Sequence, residues 1–389
     1  MNTVKREGGC WPTRQQELLL RASLLKGDEA VDAWHEWKSK VDVDSLDQVS
    51  LHFLPLLYRN LHIHDIEDSL MDMFKGIYRL TWYKNQMLLH HMAAVLRAFQ
   101  NADIKTMILK GAALTLLHYK DYGLRYMDDF DVLVHTEQAL AAIDLLKRLG
   151  WRPISRPIKA FNEEYLSVRH SHGFEDSALR QLDLHWHVFL ESCYVNSDND
   201  FWNFAVHTEF HNVSTCTLNP TDQLLHVFAH GVNWAPVPLL RWIADAVVVI
   251  NTSQSGIDWN RLVEHAKKHR LTLQISNALD YLHELLNVSI PSEALQSLQI
   301  MHVSRVECLE YKVRTSPPGL MGGIPKKWFR YLRSLKPAGH SFSKFNLIGF
   351  IRFLQHDWGI DYLWQVPFHI LLKGIARAWK TVAAKPDYS

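Results

Sequence analysis

Thiols are scarce in this chain of 389 residues, and the four cysteines, Cys10, Cys193, Cys216 and Cys308, stand far apart with no C-x-x-C pair among them. That excludes a disulfide framework and a thiolate zinc site, and fits a reducing, cytoplasmic setting. Net charge is also nearly absent, at +1 with histidines neutral. No global field therefore points to a long nucleic acid. Long apolar runs are missing too: the greasiest, Leu239 to Ile250, is broken by Arg241 and Asp245 and is too short to span a bilayer. The N-terminal segment MNTVKREGGCWPTR has no apolar h-region and does not read as a secretory signal. There is no internal repeat and no low-complexity segment. What remains is ordinary globular composition, 47% hydrophobic and 21% charged, with unusual but scattered histidine and tryptophan.

The pattern is helical from about Thr13 to Gln100, where Leu18, Leu19, Leu20 and Leu24, then Phe53, Leu54, Leu57 and Tyr58, then Leu88 to Phe99 recur at turn spacing. Trp34 and Trp37 share one helical face, as core anchors do. The middle of the chain changes character. Ile104–Leu109 reads as a short strand entering a Lys110-Gly111 turn, Ala112–Tyr119 as a short helix, and Asp129–Val134 as a second strand. Thr136 is placed to cap a helix over 137–149, stopped by Gly150. A third strand runs over 180–188. Helices resume past Pro220: Thr221 to His230, Leu239 to Ile250, a segment capped by Asp258 over 259–269, and Leu271 to Leu286. Residues 315–323 form the clearest linker. This gives an α+β protein in four parts: an N-terminal helical region (1–100), a small mixed-sheet core (101–215), a helical domain (216–315) and a basic, aromatic helical tail (316–389).

The chemistry lies in the second strand. Phe130, Val132 and Val134 alternate with Asp129 and Asp131, so the two carboxylates project from one face, roughly 6–7 Å apart by the strand rise. At an effective dielectric near 20 such a pair repels by about 2–3 kcal/mol. A cation between them removes that cost, and Mg²⁺ suits carboxylate oxygens while leaving positions for water and phosphates. Asp183, between Leu182 and Leu184, joins the pair if its strand lies alongside. Metal-bridging carboxylates and a third that accepts a proton would equip the site to activate a hydroxyl for attack on an α-phosphate. Lys110 and Arg125 are the nearest cations for the developing charge, and Gly111 lets backbone approach phosphate.

Other residues invite weaker readings. Asp128 points to the opposite face, as a solvated or capping acid. Arg125 has a structural alternative as the partner of Asp129. His185 shares a face with Asp183 and would orient it or make a structural bond. His170 and His172 read as a surface pair without a third zinc ligand, and His230 with Asp245 as a buried polar contact. Residues 345–379 mix aromatics, leucine and basic side chains around Pro367, a composition compatible with peripheral attachment to an anionic membrane. The alternatives are docking onto the helical domain and a merely solvated basic face.

The run LKGAALTLLHY, then GLRYMDDFDVLV, then LDLHW resembles the uncharacterised nucleotidyltransferase family of the DNA polymerase β-like superfamily. His52–Tyr58, Asp222–His230 and Leu240–Asp245 resemble its flanking helical motifs, so the likeness covers most of residues 50–290. It implies that Asp129 and Asp131 are the metal-binding pair, with one Mg²⁺ or two, and that Asp183 is the third acid. It implies transfer of a nucleoside monophosphate from an NTP, ATP by analogy, to an acceptor hydroxyl. Lys110-Gly111 stands where the wider superfamily carries a Gly-Ser turn for the triphosphate, and the serine is absent. That departure leaves an alternative: a catalytically inactive nucleotidyltransferase fold serving as a binding or scaffold protein in a biosynthetic or regulatory assembly.

Overall fold

The computed structural model describes residues 9–154, 161–194, 196–253, 256–319, 322–335 and 347–383. Lys336, the start of the tail segment at Phe345, the middle of the 315–323 linker and most of the N-terminal segment lie outside them. Seven strands build one mixed sheet: β1 (Thr106–Ile108), β2 (Asp129–Val134), β3 (Arg152–Pro153), β4 (Ser171–Glu175), β5 (Gln181–His185), β6 (Val206–Phe210) and β7 (Val213–Thr217), in the order β3-β4-β5-β2-β1-β7-β6. β2 lies antiparallel to β1 and parallel to β5, in a register that sets Asp131 opposite Asp183 and Phe130 opposite Leu182.

Alternation along β2 decides what each face meets. Phe130, Val132 and Val134, with Leu182 and Leu184 of β5, pack on the helices Met71–Asn101 and Ala139–Arg148 through Leu89, Met92, Leu96, Phe99 and Ile143. Burying such side chains is worth about 1.5–3 kcal/mol each. The other face carries the acids. It is covered by a larger core in which Met107 and Leu133 join Leu18, Leu19, Trp34, Trp37 and Phe74 from the N-terminal helices with Leu224, Phe228, Ile243, Ile275 and Leu279 from the later ones. Trp34 and Trp37 are fully buried and stacked, centroids 5.7 Å apart, as core anchors.

Several local expectations are corrected. Thr136 does not cap the helix Ala139–Arg148. A 3₁₀ turn over Thr136–Gln138 precedes it, and the Thr136 hydroxyl donates to the Trp186 carbonyl at 2.9 Å. Asn219, not Thr221, caps Pro220–Gly231, accepting from the Asp222 N–H at 3.0 Å. Asp258 does cap its helix. The tail's cations are not a solvated face: Lys327, Arg330 and Arg169 surround the fully buried Asp357, and Arg333 donates to Glu310 at 2.8 Å. Tyr331, Phe350, Phe353, Leu354 and Val366 form a third, smaller core with Val168. Among the described residues, no helix is long and apolar enough to cross a membrane.

Candidate active site

β1 ends at Ile108, and the Leu109 N–H donates to the Asp131 carbonyl at 3.1 Å, fixing the next residue over the acidic face. Lys110 then adopts φ +43°, a left-handed conformation that costs a non-glycine residue of order 1–3 kcal/mol and clusters at functional sites. Its ammonium donates to Asp131 Oδ1 at 2.6 Å and lies 4.0 Å from Asp183 Oδ2. His185 Nε2 donates to Asp131 Oδ1 and meets Asp183 Oδ2, both at 3.0 Å, and Ser171 Oγ donates to Asp183 at 3.2 Å. The parallel register of β2 and β5 is what makes this possible: Asp131 and Asp183 are directly opposed, and His185, two residues along β5, falls on the same face.

The charge states follow from these contacts. Burial alone would raise the pKa of Asp131, but Lys110 and His185 outweigh it and hold the carboxyl far below the usual range. Burial opposes ionisation of Asp183 as well, and His185 overcomes it. Burial pulls the His185 pKa down, yet Asp183 above all, with Asp131, lifts it to about 9. Asp129 behaves differently: burial and then repulsion from Asp131 push it up to about 6. The acids of this face are therefore incompletely neutralised by Lys110 and His185.

The ligand atoms of Asp131, Asp183 and His185 lie within 4.8 Å of one another, the spacing of a metal-ion site. Paired carboxylates suit a hard divalent cation, which would offset both the burial and the repulsion from Asp131 that raise the Asp129 pKa. In addition His185 Nδ1 is buried without a hydrogen-bond partner, so the present arrangement of protons leaves one polar atom unsatisfied. The residues fit a divalent metal. Asp129 lies outside the three-residue cluster and lines the adjoining cavity.

That cavity, of about 390 Å³, opens between the sheet and the helices, with Lys110, Asp129, Arg125, His52, His230 and Arg241 in its wall. Arg125 is buried and pinned: Nε and Nη2 donate to the two Asp245 oxygens at 2.7 and 2.8 Å, and Tyr119 adds its hydroxyl at 2.9 Å. Its acidic partner is thus Asp245 rather than Asp129, and Asp245 binds Arg125 and Tyr119 rather than His230. Arg241 is the cation that sequence reasoning passed over as a site residue. It is half-buried in the same wall and makes no hydrogen bond or ion pair among the described residues. Only its place beside Asp245 in the downstream motif signalled it. His52 stacks on Tyr126 at 3.7 Å, presenting a flat aromatic surface at the rim. Asp128 is exposed, as expected. His170 and His172 are not a surface pair: His172 is buried and bonded to Tyr165 at 2.7 Å, and His170 packs against the His185 ring.

Gly111 has no room for a side chain. A Cβ there would overlap the Arg125 guanidinium and come within 2.8 Å of Met127. A serine cannot stand at this position without displacing the pinned Arg125. Gly111→Ala should cost about 1–3 kcal/mol by overpacking, read as a fall in Tm that Met127→Ala partly restores.

A mixed sheet opposes acids from neighbouring parallel strands beneath a lysine and is flanked by helices that precede and follow it in the chain, an α+β architecture. The chain belongs to the family described as uncharacterised nucleotidyltransferases, which matches residues 49–287. Comparison with curated proteins brings no match. Among solved structures it is similar to an antigenic nucleotidyltransferase-like protein from Paracoccidioides brasiliensis, at 15% identity over 54% of this chain and 95% of that one, with a TM-score of 0.37.

Proposed function

We propose that the protein transfers a nucleoside monophosphate from an NTP, ATP by analogy with the superfamily, to an acceptor hydroxyl: the hydroxyl oxygen bonds to the α-phosphorus as the α–β phosphoanhydride breaks and pyrophosphate leaves. The observation that carries this is the opposition of Asp131 and Asp183 across β2 and β5, bridged by His185, next to a cavity lined by Asp129 and by Lys110, which donates to Asp131. Asp129, Asp131 and Asp183 would hold Mg²⁺. The ion would neutralise phosphate charge and orient the α-phosphate for in-line displacement. Lys110, which donates to Asp131 and lines the cavity, would meet the triphosphate with its ammonium. Arg241, already unpaired, is placed to meet the same charge. Arg125, occupied by Asp245, would act mainly by fixing the Gly111 turn. Asp183 stays ionised through the neutral range and would take the acceptor's proton.

A second cavity, of about 400 Å³, shares His230 and Leu239 with the first and is lined by His170, Glu191, Arg314, Lys326 and Arg330. We place the acceptor in this cavity, where the cationic side chains Lys326, Arg314 and Arg330 in the wall suit an anionic or polyhydroxyl compound.

The test is incubation with labelled NTPs, Mg²⁺ and cell extract, comparing wild type with Asp129→Asn. Wild type should transfer label and the variant should not, with fold and Tm retained; equal transfer by both would remove the proposal. A second reading is favoured by the Lys110–Asp131 ion pair, which occupies the acidic face with the protein's own cation. On that view the fold is a scaffold, and no NTP with Mg²⁺ would raise its Tm.

A further inference from the structure

The tail helix Gln365–Ala383 is attached by one side only. Val366 is fully buried in the third core with Leu354 and Phe350, and Lys373 lies over the Trp358 ring at 4.5 Å. The opposite side is apolar and bare. Trp364, Phe368, Leu371, Leu372 and Ile375 are 64, 60, 60, 64 and 47% exposed. Their spacing of four, three, one and three residues keeps them on one stripe of a helix with 3.6 residues per turn. The neighbouring helix Leu347–Trp358, which contacts the tail helix, begins with exposed Leu347 and Ile348. An apolar stripe facing away from the protein's own core calls for a covering surface.

We propose that this stripe lies in the surface of a bilayer containing anionic lipid. Two observations favour a bilayer over another protein. The stripe holds no polar residue that would set the register of a specific partner, while Tyr362 and Trp364 stand at its start, the residue types that settle at headgroup level. Residues 365–385 contain no acid, and beyond Lys373 they carry Arg377, Lys380 and Lys385, a net positive charge that complements an anionic surface. The helix lies on the membrane and does not cross it, in keeping with its length and polarity. The inference is independent of the catalytic reading: it would stand if the sheet were inert.

Co-sedimentation of the full chain with phosphatidylglycerol–phosphatidylcholine vesicles, with phosphatidylcholine vesicles as the comparison, tests it. Binding should be stronger to the mixed vesicles by about tenfold and weaken with salt. Phe368→Ser with Leu371→Ser should reduce it by at least about tenfold, because apolar burial carries most of the affinity. These side chains are exposed, so Tm should not change, and Leu372→Ser alone should give a smaller loss. Equal sedimentation of wild type and double variant would overturn the proposal. So would a wild-type dimer by sedimentation velocity that the double variant turns monomeric without vesicle binding, which would assign the stripe to a second copy of the chain.

Discussion

Asp131→Asn is expected to lower the nucleotide transfer proposed above by on the order of 10²–10³-fold or more, since it removes the carboxylate shared by Lys110 and His185. It should also cost stability. Breaking a buried ion pair from one side leaves an uncompensated charge and costs about 3–5 kcal/mol. The half-buried Lys110 can turn toward the cavity, so the lower end is expected. The pH dependence gives the signature. His185 is raised from 6.5 to about 9, so its contribution is complete below pH 6.5 and is lost as pH climbs through 9. Asp131 and Asp183 are lowered from 3.8, so their contribution is present above that value and is lost as pH falls below it. Tm measured against pH should therefore show a plateau in wild type that narrows from the alkaline side in Asp131→Asn. A plateau unchanged by the substitution would mean that the three groups do not interact as described.

The largest effect on stability is expected at Asp245. Its carboxylate is buried and accepts from Arg125 at two positions and from Tyr119 at a third. Asp245→Ala would strand a guanidinium that cannot lose its proton, at a cost of about 3–5 kcal/mol. Tyr119→Phe should cost about 1 kcal/mol, one hydrogen bond. Replacing both charges, Arg125→Met with Asp245→Leu, should recover most of the loss, as apolar isosteres of buried pairs do. Chemical denaturation of the variants checks the ranking. A mild Asp245→Ala phenotype would show that Arg125 finds another partner.

The acids and their strands were legible because Asp129–Val132 of β2 and the whole of β5 alternate between polar and apolar residues, and a two-residue period fixes which side chains share a face. The sheet was half-read. The β6–β7 hairpin escaped because its strands, VHTEF and VSTCT, are short of apolar residues. Its turn uses His211 and Asn212, both at positive φ, in place of an Asn-Gly signal. The partner of Arg125 lies 120 residues away, a separation across which local pattern carries no information. His185 was visible two residues after Asp183, but its bridging role depends on a strand register that only the assembled sheet supplies. Thr136 failed as a cap for a similar reason, since its hydroxyl is claimed by a carbonyl from the far end of β5.

The larger core has one further consequence. Because Leu18, Trp34 and Phe74 interlock with Met107 and Leu133 of the sheet and with Leu224 and Ile275 beyond it, the acid-bearing face of the sheet has no interior of its own, whereas the opposite face keeps one with the helices Met71–Asn101 and Ala139–Arg148. A transplant of the strands alone would leave half their contacts behind. The acid-bearing face and the cohesion of the larger core thus depend on the same helices.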